Sequence, residues 1–233
     1  MSSNAAPPAT ATHTKGLHGH PMARFVCALS FTTRMHVEHR RTTWEQNMER
    51  VVRVVDIVST TGRVHDGDVL ELALLYHTIL WRVTTLDVIE HQFGETMRAL
   101  VAEMCEFKQA STRDQVAKAA SLSRAVRIVL LAEYIDYASQ KIIDGPVSAC
   151  FIEHYRGHVA WSCAIVHAGG RGVCPLLEYH FNALLDREFT DTDGKRHVVL
   201  RKDMPLETQV DMYHALVDEG ERIRQTIRSL DNE

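Results

Sequence analysis

Fourteen of the 233 residues are histidine. That abundance invites metal or acid–base chemistry, because imidazole serves both near neutral pH. Spacing narrows the choice. His36 and His39 are three residues apart, so on a helix they share a face. Cys163 and His167 are four apart, but no second Cys/His pair at zinc-finger spacing accompanies them, and they read as core packing. His154, His158 and Trp161 fall together on one helical stripe, which reads as core and boundary rather than catalytic. The five cysteines (Cys27, Cys105, Cys150, Cys163, Cys174) form no C-x-x-C pair and are odd in number. With no apolar secretory signal opening the sequence, they read as reduced, mostly buried thiols of an intracellular protein. Neither a glycine-rich phosphate loop of the Walker type nor a G-x-S-x-G elbow is present.

The elements that must position these residues are helices. Net charge is −4 and the pI is about 6.4, so the chain as a whole offers no electrostatic case for nucleic acid or an anionic membrane. No apolar run approaches the roughly 18 residues needed to span a bilayer. Only six prolines occur, and none lies between Met22 and Gly145. That long proline-free stretch with sparse glycine fits consecutive helices with short connections. Residues 1–21, rich in Ala, Thr, Ser, Pro and His with one lysine and no arginine, read as a disordered tail. Their lack of arginine argues against a mitochondrial presequence and favours the cytoplasm.

Helical stripes follow. Phe25, Val26, Leu29 and Phe31 begin the first. Trp44 to Val58 carries Val51, Val52, Val54, Val55 and Val58, and its spacing favours a helix despite the β-branching. Gly62 and Gly67 mark a loop, after which Asp68 can cap a helix burying Val69, Leu72, Leu75 and Ile79. Thr84 with Asp87 resembles a capping box for a short helix ending near Gly94. Met97 to Met104 is the next stripe, Gln109 to Ala120 a polar segment, and Val126 to Ile135 a long buried helix. Beyond Gly145-Pro146 lie stripes from Phe151 to Val166, closed by Gly169-Gly170, and from Leu176 to Leu185. Phe189 to Lys202 alternates around Asp193-Gly194 and predicts a short β-hairpin with a two-residue turn. Leu206 to Leu230 predicts a terminal helix.

Several separated segments then resemble one family in the correct order. Residues 73–108 read ALLYHTILWRVTTLDVIEHQFGETMRALVAEMCEFK. This resembles the RelA/SpoT-type HD-domain hydrolases, and most of all their small stand-alone, metazoan SpoT-homologue-like members, which act on ppGpp. That family shows ALLHD-x-x-ED, then T-x-x-x-[IV]-x-x-x-FG, then a helix ending in a T-D-x-K-like segment. Phe93-Gly94, Leu100-Val101 and Lys108 fall in matching places. Val129 to Ala138 resembles the family's K-L-A-D-x-x-x-N-L, and His158 to Phe189 its closing helices. The resemblance covers roughly residues 22–190. It implies an all-α, HD-domain-like multi-helix bundle over 22–190, with a C-terminal hairpin and helix over 191–233 added to it.

The family's chemistry does not carry over with the scaffold. Its members hold one divalent cation, usually Mn²⁺, through a His-Pro histidine, the His-Asp pair and a distant aspartate, with two acids supporting the attacking water. Here Asn47 and Met48 stand at His-Pro, Tyr76 and His77 at His-Asp, and Leu80 and Trp81 at the two acids. Glu133 stands at the distant aspartate and Tyr137 at the asparagine after it. One carboxylate and an imidazole displaced by one residue are too few for a hard divalent ion. His36, Glu38 and His39 with His77 and Glu133 offer a rebuilt metal site only if their geometry converges. His20-Pro21 lies too far upstream to serve as the His-Pro motif. Arg40-Arg41 match the family's basic segment that contacts substrate phosphates, with Lys108 on the same rim, and arginine suits bidentate phosphate contact.

The expected function is therefore a catalytically degenerate member: no catalytic residue, no metal, and a structural or regulatory role as a subunit of an intracellular assembly, with protein partners or further copies of itself. Two alternatives stand beside it. One is a Mn²⁺-dependent 3′-pyrophosphohydrolase of (p)ppGpp-like nucleotides using substitute ligands. The other is a sensor that binds a guanine or nicotinamide nucleotide without hydrolysing it.

Overall fold

The computed structural model describes residues 21–38, 44–140, 148–169, 171–201 and 203–230. The expected tail over 1–20, His39, Arg40, Arg41, Gly145-Pro146, Gly170 and Lys202 lie outside the described residues. Ten α-helices and one two-stranded hairpin are formed among the described residues, as the all-α bundle reading requires. They are α1 (Pro21–Glu38), α2 (Trp44–Asp56), α3 (Gly67–Leu80), α4 (Leu86–Phe93), α5 (Glu95–Gln109), α6 (Thr112–Lys118), α7 (Arg124–Gln140), α8 (Ala149–Ala168), α9 (Pro175–Leu185), β1 (Glu188–Thr190), β2 (Arg196–Val198) and α10 (Leu206–Leu230).

Two helices form the centre. α3 buries every residue from Glu71 to Thr78, and α7 buries Val126 and the whole run from Ile128 to Asp136. A helix apolar on all sides needs neighbours all round. α3 has α1, α2, α5 and α7 against it, and α7 has α2, α3, α5, α8 and α9. Each fully buried leucine of α3, such as Leu72 or Leu75, contributes roughly 1.5–3 kcal/mol of apolar burial. α2 forms in spite of its valines because Val51, Val54 and Val58 are buried on one face while Val52 points to solvent. Tertiary packing outweighs the weak helix propensity of β-branched residues. The last turn of that segment widens into a π-turn over Ile57–Thr61. Gly62 then passes so close to α9 that a Cβ there would lie 2.9 Å from Leu177 Cγ.

Several boundaries differ from those read in the sequence. α3 is capped by Asp66, whose carboxylate accepts from the Asp68 N–H at 3.0 Å. Asp68 is drawn instead into an ion pair with Arg24 of α1 at 2.9 Å. α4 is capped by Thr85, one residue after the predicted cap. The polar segment after Gln109 is helical over α6, because Ser111 accepts from the Asp114 N–H at 3.1 Å and Gln115 donates back to the Ala110 carbonyl at 2.9 Å. Pro21 opens α1 rather than closing a tail, which its fixed φ suits.

The hairpin pairs Glu188 with Val198 and Thr190 with Arg196. Its turn is longer than two residues. The Asp191 carboxylate accepts from the Asp193 and Lys195 N–H groups at 2.9 and 2.8 Å, and Gly194 sits at φ +78°. An aspartate bonding two residues on builds its own turn. Arg156 of α8 holds the hairpin by donating to the Val198 carbonyl at 2.8 Å. α10 packs along α8, and a Cβ on Gly157 would come within 2.5 Å of Tyr213.

Candidate functional site

Of the positions that the resemblance assigns to the metal, Tyr76 and His77 meet Glu133, in the middle of α7, which is 1% exposed. α3 brings Tyr76 and His77 to it, α5 brings Lys108 and α2 brings Arg50. Lys108 Nζ lies 2.6 Å from Glu133 Oε2, and Arg50 Nη2 lies 3.2 Å from Oε1. The Tyr76 hydroxyl donates to Oε1 as well. His77 Nε2 is 3.7 Å from Oε1, beyond hydrogen-bond reach. One turn farther along α7, Asp136 receives Arg53 of α2 at 2.6 Å. Arg50 and Arg53 thus match Glu133 and Asp136 at the same three-residue spacing, two rungs between two helices.

Electrostatics follow from this arrangement. Burial alone raises a carboxylate's pKa, but Lys108, His77 and Arg50 outweigh it and hold Glu133 at about 2. Glu133 is therefore ionised at neutral pH. Burial, with the Glu133 charge beside it, pushes the Tyr76 hydroxyl well above its ordinary value, so Tyr76 remains a donor. Burial lowers His77 to about 3, and its ring is neutral at pH 7.

Beyond the carboxylate lies an aromatic stack. The His77 ring is 4.0 Å from that of Tyr76 and 4.3 Å from that of Trp81, nearly parallel to the latter at 16°. Trp81 meets His36 of α1 edge-on at 4.9 Å. Leu80 is half-buried against the core. On the other side, Tyr137 stacks on His158 at 3.8 Å, and His158 meets Trp161 of α8 and Tyr213 of α10 edge-on. Burial pushes the Tyr137 hydroxyl up and lowers His158 to about 3.

Of the positions selected from the sequence, Tyr76, His77, Trp81, Lys108 and Glu133 come together. Asn47 is half-buried on α2, one turn before Arg50. Arg40 and Arg41 lie outside the described residues, so only Lys108 of the expected phosphate-binding set has a described place, and there it is paired with Glu133. His36 reaches the stack, whereas its partner in the rebuilt metal site, His39, lies outside the described residues. Cys163 and His167 approach to 3.9 Å within α8, with Cys163 in the core. Arg50 escaped the sequence reading. The signal that would have found it is the shared spacing of Arg50–Arg53 and Glu133–Asp136.

The residues present do not fit a divalent cation. The carboxylate's acceptor directions already take one hydroxyl and two side-chain cations. A metal entering here would face the positive charges of Lys108 and Arg50 at close range. Leu80 and Trp81 offer no oxygen to orient a water. Among the described residues, no three His, Cys, Asp or Glu side chains gather as ligands would.

Comparison with known proteins agrees with this scaffold. The HD domain family matches residues 28–139. The guanosine-3′,5′-bis(diphosphate) 3′-pyrophosphohydrolase MESH1 of Xenopus tropicalis is 27% identical over 170 residues, covering 70% of this chain and 92% of that protein. Its Homo sapiens counterpart is 31% identical over 121 residues, covering 49% of this chain and 68% of that one. A solved structure of a metazoan ortholog of SpoT that hydrolyzes ppGpp superposes with a TM-score of 0.60 at 23% identity, covering 71% of this chain and 96% of that one. Shared order of motifs, shared fold and the extent of the human match together place the chain in the SpoT/MESH1-like family of HD-domain proteins.

Proposed function

We propose that this chain is a catalytically degenerate member of its family, acting as a structural or regulatory subunit of an intracellular assembly. The observation that carries the reading is the state of Glu133. Its negative charge is balanced by Lys108 and Arg50, side chains of the protein itself, at the position where the family's metal would sit. The family's hydrolysis needs a metal-polarised water. Here the residues that would ligate the ion are Asn47, Tyr76 and His77, and those that would support the water are Leu80 and Trp81. An internal ion pair keeps α2, α5 and α7 together without a metal, so the scaffold outlasts the chemistry. The protein-partner reading draws on α10 and the hairpin, which extend the chain past the HD domain match. No described helix is long and apolar enough to cross a membrane.

The nucleotide-sensor alternative has less support, because Lys108 is committed to Glu133. The test is release of pyrophosphate from guanosine-3′,5′-bis(diphosphate) by the purified full chain with Mn²⁺. The expected result is no release above a protein-free blank. Turnover that disappears in Glu133→Ala would overturn the proposal and restore the hydrolase reading.

A further inference from the structure

We infer that the seat of α10 on α8 is an acid-released latch. Protonation of His158 and His214, the two histidines beside the Tyr213 contact, frees α10 while the bundle beneath it stays folded. The contact is a knob in a hole. Tyr213 is 6% exposed and lies against Gly157, where a Cβ would come within 2.5 Å of its ring. Glycine weakens a helix interior, and here the close approach of α10 requires it. His158 follows Gly157 on α8, and its ring is 6.1 Å from that of Tyr213. His214 follows Tyr213 on α10 and is 5% exposed. When α10 leaves, His214 goes into water and His158 loses one of the three rings that cover it.

The surroundings disfavour a charge on either ring while α10 is docked. His158 packs against Tyr137 of α7, Trp161 of its own helix and Tyr213. Burial, Lys108 of α5, His154 of α8 and Arg50 of α2 outweigh Glu133 of α7 and hold His158 at about 3. Glu133 is itself taken up by Lys108 and Arg50. Neither buried ring nitrogen of His214 has a well-formed partner. Burial and Arg113 of α6 outweigh Asp211 and Asp218 of α10 and the Thr112 backbone of α6, and lower His214. Asp218 lies 3.7 Å from Arg113, and the Thr112 carbonyl already accepts from Trp161 Nε1 at 3.2 Å. Both histidines are therefore neutral in the docked state at pH 7. The released state binds more protons below the ordinary histidine value of about 6.5, so release becomes more favourable as pH falls.

The bundle does not rest on α10. The helices packed against α3 and α7 are α1, α2, α5, α8 and α9, and α10 lies chiefly on α8. Among the described residues of α10, only Gln209, Val210, Tyr213 and His214 are buried. An element with so short a seat opens more readily than the core. Its release uncovers Gly157, His158 and Trp161. The latch goes beyond the assembly reading above and holds whether or not the Glu133 pocket is active.

The experiment is amide hydrogen exchange of the full chain at pH 7.5 and 5.5, corrected for the intrinsic rate at each pH. Amides of residues 209–217 read the opening of α10, and those of α3 and α7 the opening of the bundle. The α10 opening constant is expected to rise between about tenfold and about a hundredfold at the lower pH, up to about tenfold for each histidine. α3 and α7 should stay far better protected than α10 at both values. His214→Gln should remove about tenfold of that rise and His158→Gln the remainder. Each rise is measured within one variant, so a change in overall stability leaves the comparison intact. His65→Gln, at an exposed histidine, should leave the rise unchanged. A rise below about threefold would overturn the latch, as would α10 exchanging in step with α3 and α7. So would a full rise kept by either the His158 or the His214 variant, or one lost equally in His65→Gln.

Discussion

At Glu133 a buried carboxylate must be matched by positive charge, and the match comes from Lys108, Arg50 and a Tyr76 hydroxyl. Removing one partner of a buried pair leaves the other uncompensated, a loss of several kcal/mol when the pair is fully dry. Lys108 and Arg50 keep part of their surface in water, which screens the pair. Lys108→Met is therefore expected to lower unfolding stability by about 2 kcal/mol in urea titrations. Lys108→Met combined with Glu133→Gln should recover most of that loss, because the orphaned charge is gone. Additive losses in the double variant would show that the two side chains do not act as a pair. That Asn47, Tyr76, Leu80 and Trp81 depart from the residues the family resemblance expects at their positions was legible from their identities. The ion pairs around Glu133 were not, because the one between α2 and α7 joins residues 83 positions apart. For the same reason the pairing of Lys108 with Glu133 was not legible: sequence gives the lysine's place on the rim but not the carboxylate beneath it.

Between elements, His158 shows how helix packing sets a titration. It sits where α7, α8 and α10 meet, against Tyr137, Trp161 and Tyr213. Burial lowers it to about 3, as it does His77 between α3 and α7. Both are neutral when folded and gain a proton on unfolding below the ordinary histidine value of about 6.5. The unfolded chain therefore binds more protons in that window, and stability falls as pH falls from 6.5 toward 3. Each histidine should remove about 1.4 kcal/mol between pH 7.5 and 5.5, a window above the carboxylate titrations. His158→Gln should shrink the difference in unfolding free energy between the two pH values by about 1.4 kcal/mol, whatever it does to either midpoint. An unchanged difference would show that His158 is not titrating on unfolding. The helices themselves were readable from their apolar spacing, and their caps less so. Asp66 and Thr85 cap where Asp68 and Thr84 were read, since neighbouring residues of the same type compete for one role and only backbone geometry decides.

Across the whole molecule, the HD bundle is assembled around α3 and α7, and the Glu133 cluster lies where these two helices meet α2 and α5. Motif order revealed that scaffold because order along the chain survives changes in side-chain chemistry. The state of that cluster depends on a balance of charges that only the assembled helices define. Lys108 and Arg50 take up the carboxylate oxygens of Glu133, and on the proposed reading they stand in the metal's place. Calorimetric titration of the full chain with Mn²⁺ at neutral pH tests that reading most directly. No saturable binding is expected below about 1 mM, since the ion would have to displace Lys108 and Arg50 from the buried Glu133 carboxylate. A stoichiometric site with Kd of about 10 µM or tighter, abolished by Glu133→Gln, would contradict it.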